Sequence, residues 1–328
     1  MGQSIRKFTE TPQQNQPLLG ARVIFDIPPT SDLDNILIQL SGVVTLSAGS
    51  TGLITDGIAN IIQSIELIGD GRDPIVSFSG AQAINGNMFR RKKLAAAIVT
   101  QPGVGIAAQP FAADMIIDLA QFAAIRPKDS ALRENAYRTL QLAVRFAADW
   151  TGVFAGGFAV SATTLALVVA LRESIEMSDD GAVASSPIFR ALTTGRDDAF
   201  AGAVTRQRFR LSPDQALRGI GIRIVSNAVP PVLSDALLAR VRVSVGKDVR
   251  LDLTAGTIKE MNRNNMITPP NVGYYFLDFA DGAGAPDKMN DALDLRNAII
   301  HGADAYFEYD TLGAGVANVT QFGLVPLV

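Results

Sequence analysis

The sequence predicts an all-β chain of two tandem eight-stranded jelly rolls (a double jelly roll) with short helices in the connecting loops. Three observations carry that expectation. The stretch Phe25–Leu40 recurs without a gap as Phe209–Ile224, 184 residues on (209 − 25). Phe25 aligns with Phe209, Ile27 with Leu211, Pro29 with Pro213 and Leu33 with Leu217, and then Ile36, Ile38 and Leu40 align with Ile220, Ile222 and Ile224. Short runs alternating apolar and polar at period 2 recur between turn-rich segments in both halves, as in antiparallel sandwiches and barrels. Finally, 328 residues at 48% hydrophobic and 19% charged are enough for two cores and too apolar for a disordered chain.

Taken in order, residues 1–19 are rich in Gln, Pro and Thr and read as an extended N-terminal arm bearing Arg6 and Lys7. The arm has no apolar h-region, so no signal peptide is expected. Residues 21–27 and 35–45 are the first strands, separated by a Pro-Pro-Thr-Ser-Asp turn. Ile61–Ile68 alternates and ends at Gly69-Asp-Gly-Arg-Asp-Pro74; a short strand follows at Ile75–Phe78, then a polar helical pattern from Gly80 to about Arg91. The second half echoes this order. Leu237–Val245 and Arg250–Thr254 are strands, and Ala255–Asn265 is helix-like, with Ile65 matching Val241 at an offset of 176 (241 − 65). Met115–Ala120 matches Tyr275–Ala280 at 160 (278 − 118), and strands at Thr139–Phe146 and Ala303–Tyr309 follow. The last echo pairs Leu165, Leu167 and Val168 with Phe322, Leu324 and Val325 at 157 (322 − 165). Ser212, Pro213, Gln215 and Gly219 have the spacing of a capped helical turn. The domain reading is an arm at 1–19, a first jelly roll at 20–175, a linker of Ser, Asp, Gly and Ala composition at 176–204, and a second jelly roll at 205–328.

Chemical signals are weak. The net charge of −3 gives no global attraction to nucleic acid. With no cysteine and one histidine, zinc lacks a ligand set, and a Ser–His–acid triad would have to use His301 without any G-x-S-x-G elbow, so no catalytic, cofactor or metal site is expected. Asp179-Asp180, Asp197-Asp198 and Asp281/Asp287/Asp291 read as solvated loop acids; structural Ca²⁺ between subunits would have to use them without the EF-hand spacing. Pro102–Ala108 mimics G-x-G-x-x-A, but Pro110 stands where its helix should run. Thr151–Leu171 carries no charge over 21 residues, yet its glycines and β-branched residues favour two buried strands over a membrane span. Arg90, Arg91, Lys92 and Lys93 form the one basic run.

The pattern resembles the double jelly-roll major capsid proteins of tailless, membrane-containing icosahedral bacterial viruses, the corticovirus coat protein especially. Phe25-Asp-Ile-Pro-Pro-Thr30 leading to Ile36–Gly42, then Ile61–Gly71, Leu251–Thr257 and Asn262–Asn265 carry the resemblance. It implies a non-enzymatic coat protein in the virion, assembled in the host cytoplasm. Three chains would form a homotrimer with a pseudo-hexagonal outline. It would touch neighbouring capsomers and minor capsid or penton proteins over an internal membrane, without direct genome binding. Arg6, Lys7, Arg90, Arg91, Lys92 and Lys93 are then the candidates for membrane- or partner-facing cations. The alternative is a carbohydrate- or receptor-binding β-sandwich such as a viral spike, which would want exposed aromatic rings. A cupin-like enzyme would want several histidines.

Overall fold

The computed structural model describes residues 3–10, 14–15, 19–28, 32–46, 52–53, 56–83, 98–100, 108–119, 132–133, 136–150, 152–155, 160–177, 189–212, 215–228, 231–265, 272–279, 293–294 and 304–326. The first set of main strands is β1 (Gln3–Glu10), β2 (Arg22–Ile27), β3 (Asp32–Leu46), β4 (Ile62–Gly69), β5 (Asp73–Phe78), β6 (Gln109–Asp118), β7 (Leu140–Phe146) and β8 (Val160–Met177). The second set is β9 (Phe189–Phe200), β10 (Gln207–Arg210), β11 (Ala216–Ser226), β12 (Leu238–Val245), β13 (Asp248–Thr254), β14 (Tyr274–Asp278), β15 (Ala305–Thr311) and β16 (Gly315–Pro326). Strands β1-β8-β3-β6 form one sheet of the first repeat and β2-β7-β4-β5 the other; in the second repeat the orders are β9-β16-β11-β14 and β10-β15-β12-β13. Adding eight to each label converts the first repeat into the second. Eight antiparallel strands in two facing four-stranded layers, in this order, are a jelly roll.

The repeat holds at the level of single rungs. Ile36 lies opposite Leu171 and Ile117, and Ile220 opposite Gln321 and Leu277. The ladder skips one residue at Asp34 in β3 and one at Arg218 in β11, again 184 apart (218 − 34). The bulged carbonyls accept equivalent backbone N–H groups, Leu119 on Asp34 at 3.0 Å and Phe279 on Arg218 at 2.9 Å. A bulge bends its strand and strengthens the local twist, so both jelly rolls turn at the same point.

Burial follows the alternation. In β2, Val23, Phe25 and Ile27 face inward while Arg22, Ile24 and Asp26 face out; in β15, Ala305, Phe307, Tyr309 and Thr311 are buried between outward residues. Two large clusters result, one per jelly roll, the second built around Phe209, Phe307 and Tyr309 with the Phe209 and Phe307 rings 4.9 Å apart. Burying one such side chain contributes about 1.5–3 kcal/mol. Helix α1 (Ala255–Asn265) forms where the polar pattern placed it, and residues 80–83 are helical at the corresponding place in the first repeat.

Four expectations are corrected. Residues 189–200, read as linker, are strand β9, because β16 and β5 supply its backbone partners on both sides. Residues 3–10, read as part of an extended N-terminal arm outside the jelly roll, are strand β1, paired with β8 from Gln3–Met177 to Glu10–Ala170. Leu167 lies opposite Leu40 and Ala317 opposite Ile224, so the counterpart of Leu167 is Ala317, at an offset of 150 (317 − 167), and not Leu324. Those strands are apolar on both faces, and periodicity alone left their alignment undetermined. Gly219 ends no helix: β11 begins at Ala216, where pairing with β16 outweighs the local capping pattern. The apolar run Thr151–Leu171 enters β8 at Val160, and among the described residues no helix is long and apolar enough to cross a membrane.

Replacing Phe307 with Ala empties a fully buried position among Phe209 and Tyr309. Unfolding in denaturant is expected to show a loss of about 3–5 kcal/mol. Arg210→Ala, on the solvated side of the same sheet, is expected to stay within about 0.5 kcal/mol.

Candidate functional site: the seam between the two jelly rolls

Strands β5 and β9 pair in parallel, Val76 opposite Thr193 and Ser77 opposite Thr194, and fuse the β2-β7-β4-β5 and β9-β16-β11-β14 layers into one continuous sheet. Two rungs are a short hinge line, so side chains must set the angle. Close approach is the first requirement. A Cβ on Gly195 would stand 1.6 Å from Gln82 Oε1, and one on Gly80 would stand 2.0 Å from the Ala59 carbonyl oxygen. Glycine at both places lets the segment after β5 lie directly on β9 and on the 3-10 helix at Gly57–Ile61.

A hydrogen-bonded network, largely buried but with Asp56 partly exposed and Asp197 exposed, then ties the repeats together. The Gln82 amide donates from Nε2 to Asp197 Oδ1 at 2.6 Å, Gln82 Oε1 accepts from the Ser79 N–H at 2.9 Å, and the Gln82 carbonyl accepts from the Thr320 hydroxyl at 3.2 Å. Asp197 Oδ1 also accepts from Asn318 Nδ2 at 2.7 Å. Arg223 Nη1 donates to Asn318 Oδ1 at 2.7 Å, and its Nε donates to the Tyr274 hydroxyl at 3.2 Å. The Tyr274 hydroxyl donates in turn to Asp56 Oδ2 at 2.5 Å. Asp56 has φ of 58°, a left-handed conformation that Asp tolerates, and it opens the 3-10 helix.

The network runs from Asp56 of the first repeat through Tyr274, Arg223, Asn318 and Asp197 of the second, and back to Gln82 of the first. Gln82, Arg223, Tyr274, Asn318 and Thr320 are all buried. A buried polar group without its partner costs about 1–3 kcal/mol, so sliding one repeat along the other is penalised at several points at once. Burial pushes the Tyr274 hydroxyl well above its ordinary range, and the Asp56 carboxylate adds to this against the opposing Arg223 charge.

The opposite side of the second repeat is a charged surface. On the outward face of β10-β15-β12-β13, Arg208 meets Glu308 at 3.1 Å, Arg242 holds Asp310 in a two-pronged bond at 3.0 and 2.8 Å, and Arg240 grips Asp252. Arg242 holds the Asp310 carboxyl below its usual range, as Arg240 does for Asp252. These acids favour folding above their ordinary pKa and lose that contribution as pH falls below it and through their lowered folded-state pKa. Arg242 also reaches Asp252 at 3.3 Å, which links these pairs into one row, and where the row is exposed to water each pair contributes little.

Asp197, expected as a loop acid, lies at the centre of the seam, and Asp198 accepts from the Tyr309 hydroxyl at 2.8 Å and Gln207 Nε2 at 2.9 Å. Arg6 and Lys7 lie on β1, opposite Ser174 and Glu173. Arg90, Arg91, Lys92, Lys93, His301, Asp179, Asp180, Asp281, Asp287 and Asp291 fall outside the described residues. Among the described residues no three His, Asp or Glu side chains converge to hold a metal. Trp150 packs against Phe111 and Phe154, and Tyr274, Tyr275 and Tyr309 are buried, so these rings serve the interior. The seam residues Gln82, Arg223, Tyr274 and Asn318 were not singled out by the sequence. The signal was there: the counterpart of Arg223 is Gln39 (223 − 184) and that of Asn318 is Val168 (318 − 150), so the repeats differ in chemistry where one of them is covered.

Tyr274→Phe removes the link between Arg223 and Asp56 and is expected to cost about 1–3 kcal/mol in denaturant unfolding. The pH dependence follows from the raised hydroxyl. Above about pH 10 the unfolded chain releases a proton that the native Tyr274 keeps, so stability falls as pH rises. The same burial raises Tyr309. Denaturant midpoints between about pH 8 and 11 are expected to decline, and less steeply for Tyr274→Phe.

No protein-family profile matches the chain, and no curated protein is similar to it in sequence. Solved structures do match. The crystal structure of the STIV MCP superposes with a TM-score of 0.73 at 12% identity, covering 98% of this chain and 97% of that one. The major capsid protein P2 from bacteriophage PM2 matches at 0.58 and 11% identity, covering 99% and 98%. PBCV-1 VP54, in a structure fitted into a reconstruction of the virophage Sputnik, gives 0.67 at 11% identity, covering 99% and 94%. With the repeated strand order, these end-to-end matches place the chain in the double jelly-roll fold.

Proposed function

We propose that the chain is a major capsid protein of an icosahedral virion, and that three copies form a capsomer of six jelly rolls. The observation that carries the reading is the completeness of the match. Two jelly rolls, joined at a fixed seam, account for nearly the whole of this chain and of chains named as major capsid proteins. A seam whose bonds fix the placement of one jelly roll on the other accords with a structural role.

By the same reading the shell encloses an internal membrane. The basic run Arg90–Lys93 then supplies its lipid contact, at about 1 kcal/mol per cation near an anionic surface. Arg6 and Lys7, held on β1, serve contacts between subunits instead.

Light scattering of the purified protein is expected to give about three times 34.8 kDa, with hexagonal particles in negative stain. A stable monomer at micromolar concentration would overturn the capsid reading. Anionic vesicles are expected to bind the wild-type trimer and to lose it when Arg90, Arg91, Lys92 and Lys93 are changed to Ser; equal binding by both would remove the membrane assignment.

A further inference from the structure

The seam leaves two loose ends that correspond to its own two halves. β5 is the edge of its layer until β9 pairs with it. The counterpart of β5 in the second repeat is β13, and the counterpart of β9 in the first is β1. β13 ends the β10-β15-β12-β13 sheet and β1 ends the β1-β8-β3-β6 sheet, and among the described residues neither has a strand on its outer side.

The sheet faces show the same mismatch. In the second repeat, every residue of β11 from Ala216 to Val225 is buried, because the first repeat covers the outer face of β9-β16-β11-β14 through Asp56 and Gln82. The corresponding outer face of β1-β8-β3-β6 carries Leu37, Val43, Ile116 and Val168, all half-exposed. Unpaired edges and part-exposed apolar surface are features proteins ordinarily cover. β13 also exposes Val249, at 58%, and α1 exposes Met261.

We infer that β13 of one copy pairs in parallel with β1 of a second copy of this chain, repeating between chains the contact that joins the two jelly rolls within one. The inference rests on the capsomer reading and specifies its interface. A head-to-tail contact used again adds a further copy, and it forms a closed ring when its rotation divides a full turn. Used alternately within and between three chains, it joins six jelly rolls.

The repeat also fixes the register. Val76 and Leu251 occupy equivalent rungs, opposite Leu67 and Val243, and Ser77 and Asp252 the next, opposite Glu66 and Arg242. Thr194 lies opposite Gln321 and Thr9 opposite Leu171, which are themselves opposite Ile220 and Ile36. The seam pairs Val76–Thr193 and Ser77–Thr194 therefore translate into Leu251–Phe8 and Asp252–Thr9 between copies.

Engineered disulfides test this directly, because the chain has no cysteine of its own. Ser77→Cys with Thr194→Cys is the control and should close within one chain. Thr9→Cys with Asp252→Cys, mildly oxidised in the native full-length protein, should give reducible species of two and three times 34.8 kDa on a denaturing gel. Phe8→Cys with Leu251→Cys, on the adjoining rung, should do the same while keeping the ion pair of Arg240 with Asp252 intact. Thr9→Cys with Asp248→Cys, four residues or about 13 Å out of register, should stay at the monomer position. A trimer by light scattering whose control closes while neither in-register pair links chains would overturn this inference and leave the capsid reading standing. Equal linking by the out-of-register pair would also overturn it. A monomer would remove the capsid reading, and this inference with it.

Discussion

Everything distinctive in the structure depends on the parallel pairing of β5 with β9 and the polar network beside it. Two rungs of sheet contribute little, and an apolar contact alone would tolerate sliding. The bonds of Tyr274 to Asp56, Gln82 to Asp197 and Thr320 to Gln82 do not tolerate it, since each crosses the boundary at defined atoms, while Arg223 and Asn318 hold Tyr274 and Asp197 in place from within the second repeat. Each such bond contributes only about 1 kcal/mol net, but leaving one buried partner unmade costs more than making it gains. The seam therefore secures one angle between the jelly rolls more than it adds stability. For the proposed shell subunit, which would tile a surface, the angle is the functional quantity.

The two repeats share topology, rungs and a bulge, and differ where one touches the other. Gly195, Asp197 and Thr320 suit a strand pair approached closely by Gln82. Asp197 and Gly195 are also why residues 176–204 look like linker: small and acidic residues serve the close contact. The outward face of β10-β15-β12-β13, by contrast, carries paired charges such as Arg242 with Asp310. One side of the second repeat is built to be covered, and the other to stay in water.

Much of the fold was legible in the sequence because strand alternation and the 184-residue echo report on side-chain environment directly. The rungs Ile65–Val241 and Asp118–Asp278 and helix α1 stand as the spacing placed them. The strands β1 and β9 were not legible, since neither alternates strongly and each depends on partners far along the chain. The doubly apolar strands β8 and β16 hid their own alignment for the opposite reason, having no polar face to set the phase. The seam was least legible. Arg223 in Ile-Gly-Ile-Arg-Ile looks like any outward-facing residue until the other repeat is placed upon it.

In the proposed capsomer one junction geometry serves both within and between chains. Cryo-electron microscopy of the purified oligomer viewed down its symmetry axis tests it most directly. Six lobes at equal spacing are expected, with the seam between lobes of one chain superposing on the seam between chains. A ring with three well-separated pairs of lobes, or subunits joined through the charged face of β10-β15-β12-β13, would contradict it.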